Sequence, residues 1–232
     1  MSVSSTFSGF DPALIKFYKA LKKNNSKTWF EAHRADYDAL HLEPAKDFVA
    51  ALAPGLSKIS PDIIAVPKVG GTIGRINRDT RFSKDKTPYK HNMFLRLRQP
   101  AQGMKEGPGT FVHIGIDGLW LAGGWFRFDT GPRDAYRAAI IDDKKGPALL
   151  RAVKKVEKAG FEGPGGTHYK RVPRGFDPDH KRAEFLKHSG FYMTRHIPGS
   201  SPLFSADAVP FMLEQVKAFQ PVIRWLQAHA SA

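Results

Sequence analysis

The chain has 232 residues, 41% of them hydrophobic, and 36 Lys and Arg stand against 22 Asp and Glu for a formal charge of +14. That length buries a sizeable core without a disulfide or a metal, and the ordinary apolar and charged content excludes wholesale disorder. The absence of cysteine excludes a disulfide framework, a zinc ribbon, an iron–sulfur cluster and thiol catalysis, while the basic balance points to an anionic partner or a basic solvated surface.

The opening residues, 1–7, lack a basic stretch followed by an apolar one, so no signal peptide is expected. No run approaches the roughly 20 apolar residues of a membrane helix. A cytoplasmic protein without membrane contact is the expectation. Residues 10–60 read as helical. Asp11 before Pro12 is an N-cap signal, Phe10 can staple the entry, and Leu14, Phe17, Tyr18 and Leu21 recur at helical spacing. A second helix is expected from Ser26, with Trp29, Phe30, His33, Tyr37 and Leu40 on its stripe. Pro44 opens a third, with Phe48, Val49, Leu52, Leu56 and Ile59 inward.

From residue 62 the period changes. Ile63, Ile64 and Val66 suggest a short strand, and His91–Gln99 alternates as a strand with Met93, Leu95 and Leu97 on one side. Two further strands, 110–117 and 119–128, flank Asp117-Gly118, a hairpin-turn signal. Helices are predicted at 133–143 and 147–159. Residues 160–200 combine a Gly/Pro-rich loop, a short helix near 181–188 and a strand near 191–196. A long amphipathic helix closes the chain at 206–230, kinked at Pro221. The Gly/Pro clusters at 101–109 and 163–166 are of loop length. The expected fold is therefore a single α+β domain over 1–232. It has a helical segment at 10–60 packed on a mainly antiparallel sheet at 62–128, a mixed segment at 130–232, and a long C-terminal helix.

Charge concentrates between Lys68 and Arg98, where nine basic residues face only Asp79 and Asp85 for a local balance of +7. Phe82, Pro88 and Tyr89 interleave with these charges, which predicts an ordered loop or short helix rather than a tail. Ordered, clustered arginine suits phosphate or carboxylate, because the planar guanidinium binds such oxyanions bidentately.

Within this stretch Arg75, Arg78, Asp79, Arg81, Phe82, Lys86, Pro88 and Tyr89 fill every fixed position of an Arg-x-x-Arg-Asp-x-Arg-Phe-x-x-x-Lys-x-Pro-Tyr pattern. The chain thereby resembles a bacterial and fungal family of conserved hypothetical proteins, classed as a domain of unknown function. Asn24-Asn25 with Trp29-Phe30, the Gly123-Gly124 pair, and Arg171-Val-Pro-Arg174-Gly-Phe176 extend the resemblance over nearly the whole chain. It implies one α+β domain and supplies no reaction, substrate or cofactor.

Read physically, Arg75, Arg78 and Arg81 are three residues apart and share one face if the segment makes a helical turn. Asp79 can fix the direction of one of them, and Phe82 and Tyr89 can anchor the ends in the core. An anion-binding site of Arg75, Arg78, Asp79, Arg81, Lys86 and Tyr89 is the leading expectation. Arg171 and Arg174 would form its far wall, Gly123-Gly124 its floor, and a phosphate-bearing small molecule or nucleotide its ligand. Two alternatives stay open. In one, the protein is a non-catalytic nucleic-acid-binding module using Arg96, Arg98, Trp120 and Trp125. In the other, the motif is a structural ion-pair clasp.

Signatures of established chemistry are missing. Gly70-Gly71-Thr-Ile-Gly74 has neither the P-loop nor the dinucleotide spacing, and no Gly-x-Ser-x-Gly elbow occurs. The nine histidines form no His-x-x-x-His or His-x-His pair, and the close acidic pairs Asp142-Asp143 and Asp177/Asp179 lie outside the basic motif. No metal and no cofactor are expected. Should the protein be an enzyme, Asp79, Asp85 and His91 are the candidate general bases and Tyr89 a proton donor.

Overall fold

Helix α1, Ala13–Lys23, begins where Asp11 accepts the Ala13 N–H at 2.7 Å, and it buries Leu14, Phe17, Tyr18 and Leu21. The computed structural model describes residues 7–100, 106–166, 168–199 and 201–231. Most of residues 1–7, where no signal peptide is expected, and most of the loop at 101–109 thus lie outside the described residues. Ser26 caps α2, Lys27–Ala32, by accepting the Trp29 N–H at 3.3 Å. Helix α3, Arg34–Tyr37, continues through a π-helical turn, Asp38–Leu42, into α4, Glu43–Ile59, which carries proline in its first turn as the sequence suggests.

Five strands follow: β1, Asn92–Arg98; β2, Gly109–Gly115; β3, Gly118–Trp125; β4, Glu162–Gly165; and β5, Phe191–Ile197. They form one antiparallel sheet in the order β1-β2-β3-β5-β4. The remaining helices are α5, Thr130–Ile141, α6, Lys145–Lys158, and the long α7, Ala208–His229, with a 3-10 turn at Ala183–Lys187. This is the α+β fold that the periodicities predict: helices first, a sheet between, a long helix last. No described helix is long and apolar enough to cross a membrane.

Three local expectations change. Residues 62–66 form no strand; Ile64 makes an isolated bridge, and the Val66 N–H turns to the Thr72 hydroxyl at 2.8 Å. Strand β3 ends at Trp125, short of residue 128, and β4 emerges inside the segment read as loop. Helix α7 includes Pro221 within its span.

The chain gathers into two compact units. The first comprises residues up to Leu97, Phe111–Trp120 and His196–Gln215; the second comprises Arg98–Thr110, Leu121–Arg195 and the chain from Val216. In the first, α1 and α4 bury their apolar stripes, β1 buries Met93, Leu95 and Leu97, and the Phe7, Phe10 and Phe48 rings lie 5.0–5.2 Å apart. In the second, Tyr136 is fully buried beside Phe128, Phe191 and Trp225, and its hydroxyl donates to the Phe185 carbonyl at 3.0 Å. Arg182, also buried, closes the end of α5 by donating to the carbonyls of Ile140, Ile141 and Asp142, where a cation complements the helix dipole.

Candidate functional site

The basic motif is a loop on a short ladder. Ile73 bridges Leu95 of β1, and the Gly74 and Arg96 N–H groups close that bridge at 2.8 Å each. The chain then pairs with itself: Arg78 donates to the Pro88 carbonyl and Lys90 to the Ile76 carbonyl, both at 2.8 Å, around the Asn77–Tyr89 bridge. This cross-pairing claims the backbone groups that a helix would direct along its own axis. Arg75, Arg78 and Arg81 therefore do not share a helical face, contrary to the reading from their spacing.

In such a bridge the backbone groups of Tyr89 point away from Asn77. The Asn25 amide meets them there, donating to the Tyr89 carbonyl at 2.8 Å and accepting its N–H at 3.0 Å. The Tyr89 ring is 5% exposed and stacks on Phe30 at 4.1 Å. Tyr89 is thus the anchor that the sequence suggests.

Between residues 78 and 88 the loop is braced from within. Arg78 Nη1 donates to Asp85 Oδ2, to the Thr87 hydroxyl and to the Thr87 carbonyl. Asp85 Oδ1 accepts the Thr87 N–H at 2.9 Å and its hydroxyl at 2.8 Å, the bonding of an Asx turn. The Thr87 backbone, its hydroxyl and Arg78 together hold the Asp85 carboxyl down to about 2. Lys86 Nζ crosses the loop to the Thr80 carbonyl at 2.9 Å.

Asp79 holds Arg81 by its Nε at 3.0 Å and its Nη2 at 2.8 Å, and the same arginine is 77% exposed. Two of its five guanidinium N–H donors are used by Asp79. Arg75 is exposed, and its side chain has no ion-pair partner among the described residues. Phe82 overturns its expected role: it is 94% exposed at the loop tip, with the Arg81 guanidinium 5.8 Å from its ring centre.

The other expected participants sit differently. Arg171 and Arg174 are exposed on a loop of the second unit. The space a Cβ would take at Gly123 is filled by the Phe219 ring, 2.0 Å away, and at Gly124 by the Phe191 carbonyl at 2.3 Å, so both glycines serve packing. Trp125 is buried, whereas Trp120 is 49% exposed and stacked on His196. Asp79 and Asp85 both titrate below the usual carboxylate range, which makes them weak proton acceptors near neutrality. Among the described residues, no three His, Asp or Glu side chains lie together to hold a metal ion. A cavity of about 590 Å³ in the second unit is lined by Ile141, Phe176, Asp177 and His180 together with Asp143 and Lys181, which pair at 3.5 Å.

Sequence reasoning missed Asn25 as the anchor of Tyr89 and the Asp85–Thr87 brace. The latter has a local signal in Asp-x-Thr, an Asx-turn pattern. The pairing of Asn25 with Tyr89 has none.

The family model described as "Conserved hypothetical protein (DUF2461)" matches residues 13–225. The chain belongs to that family. No curated protein matches it, and no solved structure does.

Proposed function

We propose that the 75–90 loop binds a phosphate-bearing ligand on its exposed surface. Six basic residues against two acidic ones give this segment a balance of +4. The observation that carries the reading is Arg81, gripped along one edge by Asp79 while largely exposed. A guanidinium held in one direction loses less freedom when it binds an oxyanion, and its other N–H groups remain available for a charge-assisted pair. Arg75 and Lys86 supply further positive charge, and Tyr89 fixes the loop to its unit. Arg78 has a different part: with Asp85 and Thr87 it keeps the loop in shape.

The test is calorimetric titration of the full chain with inorganic phosphate, tripolyphosphate and ATP, repeated on Arg81→Ala and Arg75→Ala/Lys86→Ala variants. Binding of at least one of these, weakened about tenfold or more by Arg81→Ala, is expected, since a hydrogen bond to a charged group is worth about 1.5–3 kcal/mol. No heat with any of the three ligands, or equal binding by all variants, would refute the assignment.

The internal bonds of Arg78 favour a second reading, a purely structural clasp. On both readings Arg78→Ala lowers the unfolding midpoint and Arg81→Ala leaves it nearly unchanged, because the Arg81–Asp79 pair is too exposed to contribute much to stability. The readings part on the ligand: Arg81→Ala loses phosphate binding on the binding reading and has none to lose on the clasp reading.

A further inference from the structure

Phe82 stands out even beside other exposed aromatics, Phe126 at 53% and Trp120 at 49%. It is 94% exposed, yet the loop carrying it is braced by Arg78, Asp85, Thr87 and the Lys86–Thr80 bond. A flat aromatic face held out by a braced loop beside an oriented guanidinium is a surface on which an unpaired base can stack. We infer that Phe82 is a stacking platform, and that the ligand of this loop is a single-stranded nucleic acid, one base lying on the ring while neighbouring phosphates meet Arg81, Lys84 and Lys86. The inference rests on the anion-binding reading of the same loop and adds the chemical class of what is bound.

Three observations select this occupant. The Arg81 guanidinium lies 5.8 Å from the ring centre and is itself oriented by Asp79, so a flat apolar face and a phosphate-directed cation sit within one nucleotide of each other. That is the combination by which proteins hold unpaired bases. A duplex keeps its bases stacked on one another and offers no free face to a lone side chain. The residues flanking Phe82 in the chain, Arg81, Ser83 and Lys84, are polar or charged, so they add no apolar area to that of the one ring. That falls far short of the roughly 1,200 Å² of a stable protein interface. An anionic lipid surface meets the cations equally well, but one ring is a weak anchor, and the exposed Asp79 and Asp85 carboxylates on the same loop oppose a continuous sheet of negative charge.

Fluorescence anisotropy with the full chain tests this. The probes are a labelled twelve-nucleotide oligothymidylate, an abasic strand of equal length, the oligothymidylate annealed to its complement, and anionic phosphatidylserine vesicles, with tripolyphosphate as competitor. The oligothymidylate should bind at least about fivefold more tightly than the abasic strand. Phe82→Ala should abolish that margin and Phe82→Trp should keep it, with tripolyphosphate competition unchanged in both. Because the side chain is exposed, all three proteins should share one circular dichroism spectrum and melting temperature. Equal binding of thymidylate and abasic strands would overturn the stacking inference and leave anion binding standing. So would a preference for duplex, or Phe82-dependent binding to vesicles without a strand preference. Failure to bind any strand, vesicle or tripolyphosphate would overturn both.

Discussion

Asn25 and Tyr89 lie 64 positions apart, and a single side-chain amide satisfies both backbone groups of the distant tyrosine, at 2.8 and 3.0 Å. The amide acts as one more rung of a β-ladder, extending the Asn77–Tyr89 bridge to the turn before α2. The basic loop is held at its base by this contact together with the Tyr89–Phe30 stack.

Asn25→Ala leaves the Tyr89 N–H and carbonyl without a partner in a largely buried setting. Unsatisfied buried groups cost about 1–3 kcal/mol. For a chain of this size each kcal/mol lowers the melting temperature by roughly 2–4 °C. Asn25→Asp keeps an acceptor for the N–H but sets a carboxylate against the Tyr89 carbonyl, so it should melt low as well. Differential scanning calorimetry of the two variants checks this; melting temperatures matching the parent chain would show that the amide bonds contribute nothing.

The brace around Asp85 should give the loop a pH dependence. Its folded-state value of about 2 lies below the ordinary 3.8. A depressed carboxylate contributes stability above its unfolded value and loses it as pH falls through the folded one. The parent chain and Asp85→Asn should therefore differ most above pH 4 and converge towards pH 2. Because Asp85 is exposed, the readout is best kept local, such as protection of the Thr87 amide from hydrogen exchange. A difference independent of pH across that window would mean the carboxylate charge is not what holds the turn.

The alternation of β1 and the apolar stripes of α1 and α4 were legible because one face of each element is buried, which forces a period on the sequence. The anchoring of Tyr89 was legible in kind, since an aromatic beside proline at the end of a charged run has few uses outside a core. Phe82 misled because the same logic places an aromatic inside, and nothing in Arg81-Phe82-Ser83-Lys84 states that the loop tip faces solvent. Equal spacing of the arginines misled for a related reason. A three-residue interval means a shared face only in a helix, and the bonds from 76–78 to 88–90 that prevent a helix are set by a partner strand ten residues on.

Gly123 separates packing from site formation. A Cβ there would lie 2.0 Å from the Phe219 ring, so Gly123→Ala should cost about 1–3 kcal/mol by overpacking. In a Phe219→Ala background the same methyl enters vacated space, and adding it should cost much less. Residues in contact are expected to couple this way. Urea titrations of the two single variants and the double variant measure it, and additive losses would place Gly123 outside the Phe219 contact.

His41 should make the chain acid-sensitive well above the carboxylate range. It sits in the π-helical turn Asp38–Leu42, 1% exposed, with Nδ1 2.7 Å from the Tyr18 hydroxyl and Nε2 buried without a partner. Burial pushes its pKa down from 6.5 to about 4. The unfolded chain therefore takes up a proton near pH 6.5 that the folded chain refuses until about pH 4. Stability is full above 6.5 and falls as pH drops between these values, by up to about 1.4 kcal/mol per pH unit for each such histidine. His188, likewise lowered to about 4, adds a second share. His41→Asn keeps a polar group towards Tyr18 and cannot titrate, so its stability should fall less steeply over pH 6.5–4, whatever its stability at neutral pH. Urea unfolding at half-unit pH steps gives both slopes, and parallel curves for the parent chain and His41→Asn would show that His41 is not the group taking up the proton.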